Sequence, residues 1–134
     1  MDLAIFKKLK AKSGFAAAAF FAPMDYPKDP EMSWDKDCQA DFVHLFVESQ
    51  EQFKERFAQA VKAHKSGGLF WISYPKSKGK QKFDINRDSL WGLLLQHGFH
   101  PVAQVSLNDD WSAVRVKINE KGKAYERPGN VKRG

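Results

Sequence analysis

The sequence predicts an α/β domain with a mostly parallel, five-stranded sheet that ends in an antiparallel hairpin. The first observation is the apolar run at residues 69–74, which two glycines and a proline bound. A run without alternation is typical of a strand that is buried on both faces of a parallel sheet. The second is that such runs alternate with amphipathic helices. The third is the apolar–basic alternation over residues 114–118, which predicts a returning strand with one polar face.

The first third of the chain supplies one helix, one strand and a long connection. Residues 2–12 predict a short amphipathic helix whose lysines face water. Residues 15–22 predict the first strand, and their alanines suit a position beneath a crossing helix. Residues 23–40 hold three prolines and five acids, which predicts a surface connection with a short extended piece around residues 32–34. Residues 42–47 predict the second buried strand.

A helix should follow this second strand. Ser49 and Gln52 have the spacing of a capping box. The apolar positions that follow lie on one helical face as far as about Lys65, and the glycines at 67–68 are expected to end the helix. The apolar run described first is then the third strand.

The last third supplies a second long helix and the hairpin. Asn86 is a good N-cap for a strongly apolar helix. Residues 101–107 and 111–118 predict the two hairpin strands, joined by a tight turn. We expect one domain over residues 1–118 and a charged, flexible tail over residues 119–134.

The composition limits the class of protein. With 134 residues, 43% of them hydrophobic, the chain predicts a single soluble domain. The single Cys38 cannot form an internal disulfide, so we expect a cytoplasmic location. No stretch approaches the roughly 20 apolar residues of a membrane-spanning helix, so no membrane partner is expected. The net charge of +6 permits nucleic acid or a small anion as a partner.

Polar and aromatic residues collect where the third strand ends, the next helix begins and the hairpin turns. In an open α/β sheet these points lie at the carboxyl ends of the strands, where ligands bind. The candidate ligand-binding residues are Tyr74, Lys76, Asp84, Arg87, Asp88, Asp109, Trp111, Ser112 and Arg115.

Each candidate also has a structural interpretation. Lys76 either binds an anion at the strand end or is one loop lysine among four. Arg87 with Asp84 and Asp88 suits an ion-pair cluster better than a ligand site. The Tyr74 hydroxyl either donates to a ligand or caps the core.

The aromatic and histidine candidates are weaker. Trp111 either stacks on the ring of a ligand or closes the end of the sheet. His44 lies in a buried strand and is expected to be a hydrogen-bonded core residue. No nucleophile context or metal-ligand spacing is present, so we predict no catalytic residue, no metal and no cofactor.

From residue 41 to residue 118 the order of elements resembles the carboxyl-terminal half of a Rossmann-type methyltransferase. The resemblance implies a three-layer, Rossmann-like sheet with the strand order first, second, third, fifth, fourth. The glycine-rich turn that approaches the cofactor in such enzymes is absent, since residues 21–27 contain two prolines and no glycine. We therefore expect a shortened relative without the cofactor. Its first strand would lie near a sheet edge, covered by the acidic connection, the first helix or a second copy in a homodimer.

Three short motifs are similar to those of a family of small bacterial proteins catalogued as a domain of unknown function. Residues 71–76 match W-I-x-Y-P-K, residues 84–88 match D-x-x-R-D, and residues 108–115 match D-D-x-W-S-x-x-R except that Asn108 replaces the usual Asp. The likeness covers residues 41–117, and more loosely the first 22. It implies a fold and no reaction.

These observations predict a non-catalytic binding or regulatory module with a site for a small anionic ligand. One alternative is nucleic-acid binding through the basic loop at residues 76–82 and the C-terminal tail. The other is a reduced methyltransferase-like enzyme that still uses adenosylmethionine.

Overall fold

The computed structural model describes residues 1–35, 39–77 and 83–119. Its helices are α1 (Ile5–Lys8), α2 (Gln50–Ala63) and α3 (Arg87–Gln96). Its strands are β1 (Ala16–Phe20), β2 (Ser33–Trp34), β3 (Ala40–Phe46), β4 (His64–Pro75), β5 (Phe99–Ser106) and β6 (Trp111–Ile118).

One sheet contains all of these strands in the order β2-β1-β3-β4-β6-β5. The pairs from β2 to β4 are parallel, and β6 is antiparallel to both of its neighbours. The α/β class, the C-terminal hairpin and the predicted order of the five long strands are therefore confirmed. The predicted number of strands was wrong, because the short β2 makes a sixth.

This sixth strand covers the outer edge of β1. The Ser33 amide donates to the Phe15 carbonyl at 2.9 Å, and the Asp35 amide donates to the Ala17 carbonyl at the same distance. The acidic connection thus satisfies backbone groups that an edge strand would expose to other chains.

Three layers result, because both faces of the sheet are covered. Helices α2 and α3 lie on one face, where they bury phenylalanine, leucine and β-branched side chains of the sheet. Helix α1 and the turn after β1 lie on the other face, over an aromatic cluster. The indole nitrogen of the fully buried Trp71 donates to the Leu9 carbonyl at 3.0 Å and ties this second layer to the centre of the sheet.

Helix α1 is much shorter than the predicted residues 2–12. Ile5, Phe6 and Leu9 are all buried within little more than one turn. Lys10 then takes a positive φ of 64°, which turns the chain toward β1.

The start of α2 is close to the prediction. The Ser49 hydroxyl accepts from the Gln52 amide at 3.1 Å, as expected of an N-cap. The Gln52 side chain completes only half of the predicted box, because it accepts from the Glu48 amide at 2.7 Å rather than from that of Ser49.

The end of α2 was predicted wrongly. The helix stops at Ala63, and His64 is already extended, so the two glycines lie inside β4 rather than after the helix. Gly67 has a φ of 84°. A Cβ on Gly68 would lie 2.9 Å from the Asp41 carbonyl oxygen, so only glycine lets β4 pass this close to β3.

Some predicted features fall outside the described residues. Cys38, most of the basic loop at residues 76–82 and residues 120–134 of the predicted tail are among them. Across the described ranges, no helix is long and apolar enough to cross a membrane.

Two glycine-to-alanine substitutions test whether Gly68 is required by the close approach of β3, with Gly92 as an unhindered control position. Gly68→Ala is expected to lower the free energy of unfolding by about 1–3 kcal/mol, because its new Cβ meets backbone atoms that cannot move aside. Gly92→Ala, in the exposed middle of α3 with nothing within 4 Å, should raise it by about 0.5–1 kcal/mol. Urea unfolding of both variants measures the contrast, and equal effects would contradict the close approach at Gly68.

Candidate functional site

A cavity of about 400 Å³ lies between α3 and the outer strand β5. Apolar side chains form its walls, and they are Leu90, Trp91, Leu94, Pro101, Val102 and Val114. Arg87 at the start of α3, Gln104 and His100 add polar groups. Cavities of this size, mostly apolar with a few placed polar groups, are typical of small-molecule sites.

The N-terminus of α3 fixes the polar end of the cavity. The Asn86 side chain accepts from the Ser89 amide at 3.0 Å, and the Ser89 hydroxyl accepts from the Asn86 amide at 2.9 Å. This reciprocal cap confirms Asn86 as the predicted N-cap. Arg87 is therefore held as the first helical residue, near the carboxyl end of β4.

The open side of the cavity follows from an irregularity in β5. The register between β5 and β6 shifts between Pro101 and Ala103. Val102, between them, is 43% exposed although it is a large apolar residue. A bulge of this kind interrupts the ladder and re-aims side chains, which here leaves the cavity accessible to solvent.

Tyr74 and Ser112 lie directly behind the polar end. The Gln104 side-chain amide donates to the Tyr74 hydroxyl at 3.0 Å, and that hydroxyl also hydrogen-bonds with Ser112. Burial raises the pKa of Tyr74, while the Ser112 hydrogen bond and the positive charge of Arg87 act in the opposite direction. The tyrosine is therefore neutral near pH 7, does not line the cavity and orients Gln104.

The predicted ion-pair cluster around Arg87 was wrong. Among the described residues, the structure shows no ion pair between Arg87 and either Asp84 or Asp88. The Asp84 carboxylate instead accepts from the Gln50 amide at 3.0 Å. Its negative charge thus lies at the N-terminus of α2, where the helix dipole favours it.

Lys76 lies beside the hairpin and away from the cavity. Its ammonium group donates to the Ser106 hydroxyl at 2.6 Å, and its backbone amide donates to the Asp110 carbonyl at 2.8 Å. The Lys8 ammonium also reaches this turn, donating to the Ser106 and Leu107 carbonyls. Both lysines therefore hold α1 and β4 against the hairpin.

Trp111 closes the end of the sheet, as its structural interpretation predicted. Its ring meets that of Phe46 edge to face, with centroids 5.0 Å apart. The Asn108 side-chain oxygen accepts from the amides of Asp110 and Trp111 at 2.8 and 2.9 Å, so an amide serves the turn where a carboxylate was expected. Asp109 is exposed.

Arg115 lies on the opposite face of the sheet from the cavity. It is paired with Trp71 and Ala103, one position beyond Val114, whose side chain lines the cavity. Its Nε atom is buried and has no hydrogen-bond partner among the described residues.

Of the predicted site residues, the structure therefore brings Arg87 to the cavity and places Tyr74 and Ser112 behind it. Sequence reasoning missed Trp91 and Gln104. Gln104 is the one amide side chain within the predicted strand at residues 101–107, which is the signal that could have identified it. No group of three or more His, Cys, Asp or Glu residues within the described ranges is arranged to hold a metal ion.

A second polar feature is buried in the opposite layer. The two ring nitrogens of His44 lie 3.0 Å from the Tyr26 hydroxyl and 2.6 Å from the Ser73 hydroxyl. The ring also stacks on Phe46, with centroids 4.3 Å apart. The prediction of a hydrogen-bonded core histidine is confirmed. Burial lowers the pKa of His44 from 6.5 to about 3, so the imidazole is neutral and donates from one nitrogen while accepting at the other.

This chain of hydrogen bonds fixes the turn after β1 against the sheet. The Tyr26 ring packs between Phe6 and Trp34, with centroids 5.9 and 6.0 Å away. The neighbouring Asp25 carboxylate pairs with the amino group of Met1 at 2.9 Å.

The burial of His44 makes the stability of the fold dependent on pH. The folded protein keeps this ring neutral, whereas the unfolded chain takes up a proton near pH 6.5, so acid favours the unfolded state. Between about pH 6.5 and pH 5, the free energy of unfolding should fall by roughly 1 kcal/mol per pH unit on account of His44. Urea unfolding over this range measures the slope.

His44→Gln removes the titrating group and should flatten this slope, whatever its effect on stability at pH 7. His100→Gln, at a half-buried position in β5, is the matched control and should keep the slope of the wild type. An unchanged slope in His44→Gln would contradict the assignment.

The fold is similar to that of solved methyltransferase structures. The chain aligns with the glycopeptide N-methyltransferase MtfA at a TM-score of 0.57 and 10% identity, covering 84% of this chain and 87% of that one. It aligns with the Burkholderia thailandensis 1,6-didemethyltoxoflavin-N1-methyltransferase, solved with S-adenosylhomocysteine, at a TM-score of 0.55 and 10% identity, covering 87% of this chain and 75% of that one. A third alignment, with the DhpI-SAH complex, has a TM-score of 0.46 and 10% identity and covers 69% of this chain and 57% of that one.

Sequence comparison adds no family to this fold. No protein-family model and no curated protein matches the chain, so the likeness to the bacterial family of unknown function gains no support. At 10% identity, the structural alignments establish a shortened, Rossmann-like methyltransferase fold and no activity.

Proposed function

We propose that this protein is a small-ligand-binding module whose ligand occupies the cavity between α3 and β5. The observation that carries the proposal is the cavity itself, which has a volume of about 400 Å³. Its walls are apolar, and Arg87 and Gln104 form its polar end. The walls provide burial and the polar end provides orientation, which is the usual division in small-molecule sites.

The proposal assigns no reaction. Within the described residues, no nucleophile with an adjacent base and no set of metal ligands lines the cavity. The Tyr74 hydroxyl is already engaged by Gln104 and Ser112, and burial raises its pKa, so it is poorly suited to accept a proton.

The fold favours a second candidate, a reduced methyltransferase that uses adenosylmethionine. In open α/β sheets, ligands bind at the carboxyl ends of the strands where the order reverses, which here is between β1 and β3. Close approach of a nucleotide to the backbone at that point usually requires glycine.

The residues at this point do not fit that cofactor. Phe21 directly follows β1 with a φ of 59°, a conformation that favours glycine, and its ring centroid lies 4.1 Å from the Arg56 guanidinium carbon. The same guanidinium donates to the Phe46 carbonyl at 3.3 Å. Pro23 follows and lacks an amide hydrogen. The crevice therefore holds a ring and a cation where the cofactor would need open backbone.

Calorimetric titration with adenosylmethionine tests the second candidate. We expect no binding at micromolar affinity, because Phe21 and Arg56 fill the approach to the backbone. Binding at micromolar affinity that is abolished when the protein is first saturated with S-adenosylhomocysteine would contradict this expectation and restore the enzymatic interpretation.

Further proposals concern partners that the described residues do not test. Nucleic-acid binding through the basic loop and tail would depend on residues that fall mostly outside the described ranges, and Lys76 is already bonded to Ser106. Affinity that falls steeply with salt would support it. Membership of the bacterial family and a homodimer through the β1 side are likewise proposals.

Blocking the cavity provides the direct test of ligand binding. Gln104 is exposed, lines the cavity and is paired with Val114 on the same face of the sheet, so Gln104→Trp should fill the cavity. In a thermal-shift screen of small neutral and charged aromatic compounds, a binder at ten times its Kd should raise the Tm of the wild type by about 5 °C. That shift should vanish in Gln104→Trp.

Ala58→Trp places the same ring on the exposed face of α2 and serves as the matched control. It should keep the full shift. Compounds that stabilise both tryptophan variants equally would show that they bind elsewhere, and a screen with no binder at all would refute the proposal.

A further inference from the structure

We propose that the ligand of the α3–β5 cavity is an apolar monocarboxylate, with its carboxylate at the Arg87 guanidinium and its body against Trp91. This inference rests on the proposed function and adds the charge, the number of charged groups and the orientation of the ligand. It follows from three properties of the cavity.

The first property is the sign of its charge. Arg87 is the permanent cation in the lining, and no carboxylate among the described residues lines the cavity. The Arg87 guanidinium also makes no hydrogen bond or ion pair within those residues, whereas the ammonium groups of Lys8 and Lys76 both donate to oxygens of the hairpin. The cavity is thus complementary to an anion.

The neighbouring Asp88 does not cancel this charge. It is exposed, and it does not contribute to the cavity lining. At the Tyr74 hydroxyl, which marks the polar end through its bond to Gln104, the Arg87 charge acts more strongly than that of Asp88. The N-terminal end of α3 adds a small positive potential at the same place.

The second property is the shape of the cation. The guanidinium group offers a planar fork of N–H donors that matches the two oxygens of a carboxylate. Gln104, held in place by Tyr74, lines the same end. A planar, two-oxygen anion therefore suits this end better than a single hydroxyl group.

The third property is the apolar character of the remaining walls. Leu90 and Leu94 are almost fully buried, and Trp91 adds a large aromatic surface beside them. A second charged group on the ligand would lose its hydration against these side chains. The remaining polar residue of the lining, His100, is already hydrogen-bonded to Asn119 at 2.6 Å. The body should therefore be uncharged and flat enough to lie along the indole ring.

Cinnamate and its neutral amide, cinnamamide, are matched probes that differ in charge at one end. Isothermal titration of the full chain should show cinnamate binding about tenfold more tightly than cinnamamide, as expected of one charged hydrogen-bonded pair near solvent. Arg87→Gln should weaken cinnamate about tenfold and leave cinnamamide within about twofold. Because Arg87 is exposed, this variant should fold, and its Tm checks that it does.

Lys117→Gln removes one positive charge from an exposed position of β6 and does not alter the cavity lining. It should leave both affinities unchanged. Equal binding of the two probes, or an unaltered cinnamate affinity in Arg87→Gln, would overturn the monocarboxylate inference while leaving a ligand cavity in place. Cinnamate binding that survives Gln104→Trp would overturn it by placing the probe outside the cavity, and the absence of any binder in the wider screen would refute the proposed function as well.

Discussion

The pairing of β4 with β3 on one side and β6 on the other is the constraint on which the rest of the structure depends. Residues 70–75 of β4 are buried on both faces, so each alternate side chain serves a different layer. Trp71 bonds to the Leu9 carbonyl and Ser73 to His44 on the α1 side. Tyr74 reaches Gln104 on the α3 side. One strand thus supports both the turn after β1 and the polar end of the cavity.

Much of this arrangement could be predicted from local patterns. The apolar run of β4, the Asn86 cap and the alternation along β6 are all signals within a few residues, and each gave the correct element. Predictions failed where distant chain segments decide the outcome. The glycines at 67–68 resemble a helix stop, yet Gly68 is required because β3 passes within contact of it. No local pattern reports such a contact.

In the candidate site, too, residues marked by local patterns were predicted, and residues placed by distant segments were missed. Arg87, Tyr74 and Ser112 were predicted because they follow or begin regular elements, and all three lie in or behind the polar end. Trp91 and Gln104 were missed, because their role depends on how far β5 stands from α3, which the register shift in β5 sets. The candidates predicted at the carboxyl ends of the strands also included Lys76 and Asp84. In the structure these two side chains hydrogen-bond to Ser106 and to the Gln50 amide.

The bulge in β5 has a consequence for solubility as well. Within the described residues, β5 pairs only with β6, and its exposed side carries Val102 and no charged side chain. A straight, uncharged edge of this length would be a template for strands of other molecules. Pro101 lacks an amide donor and the bulge breaks the spacing of the others, so the irregular backbone replaces charge as protection against aggregation.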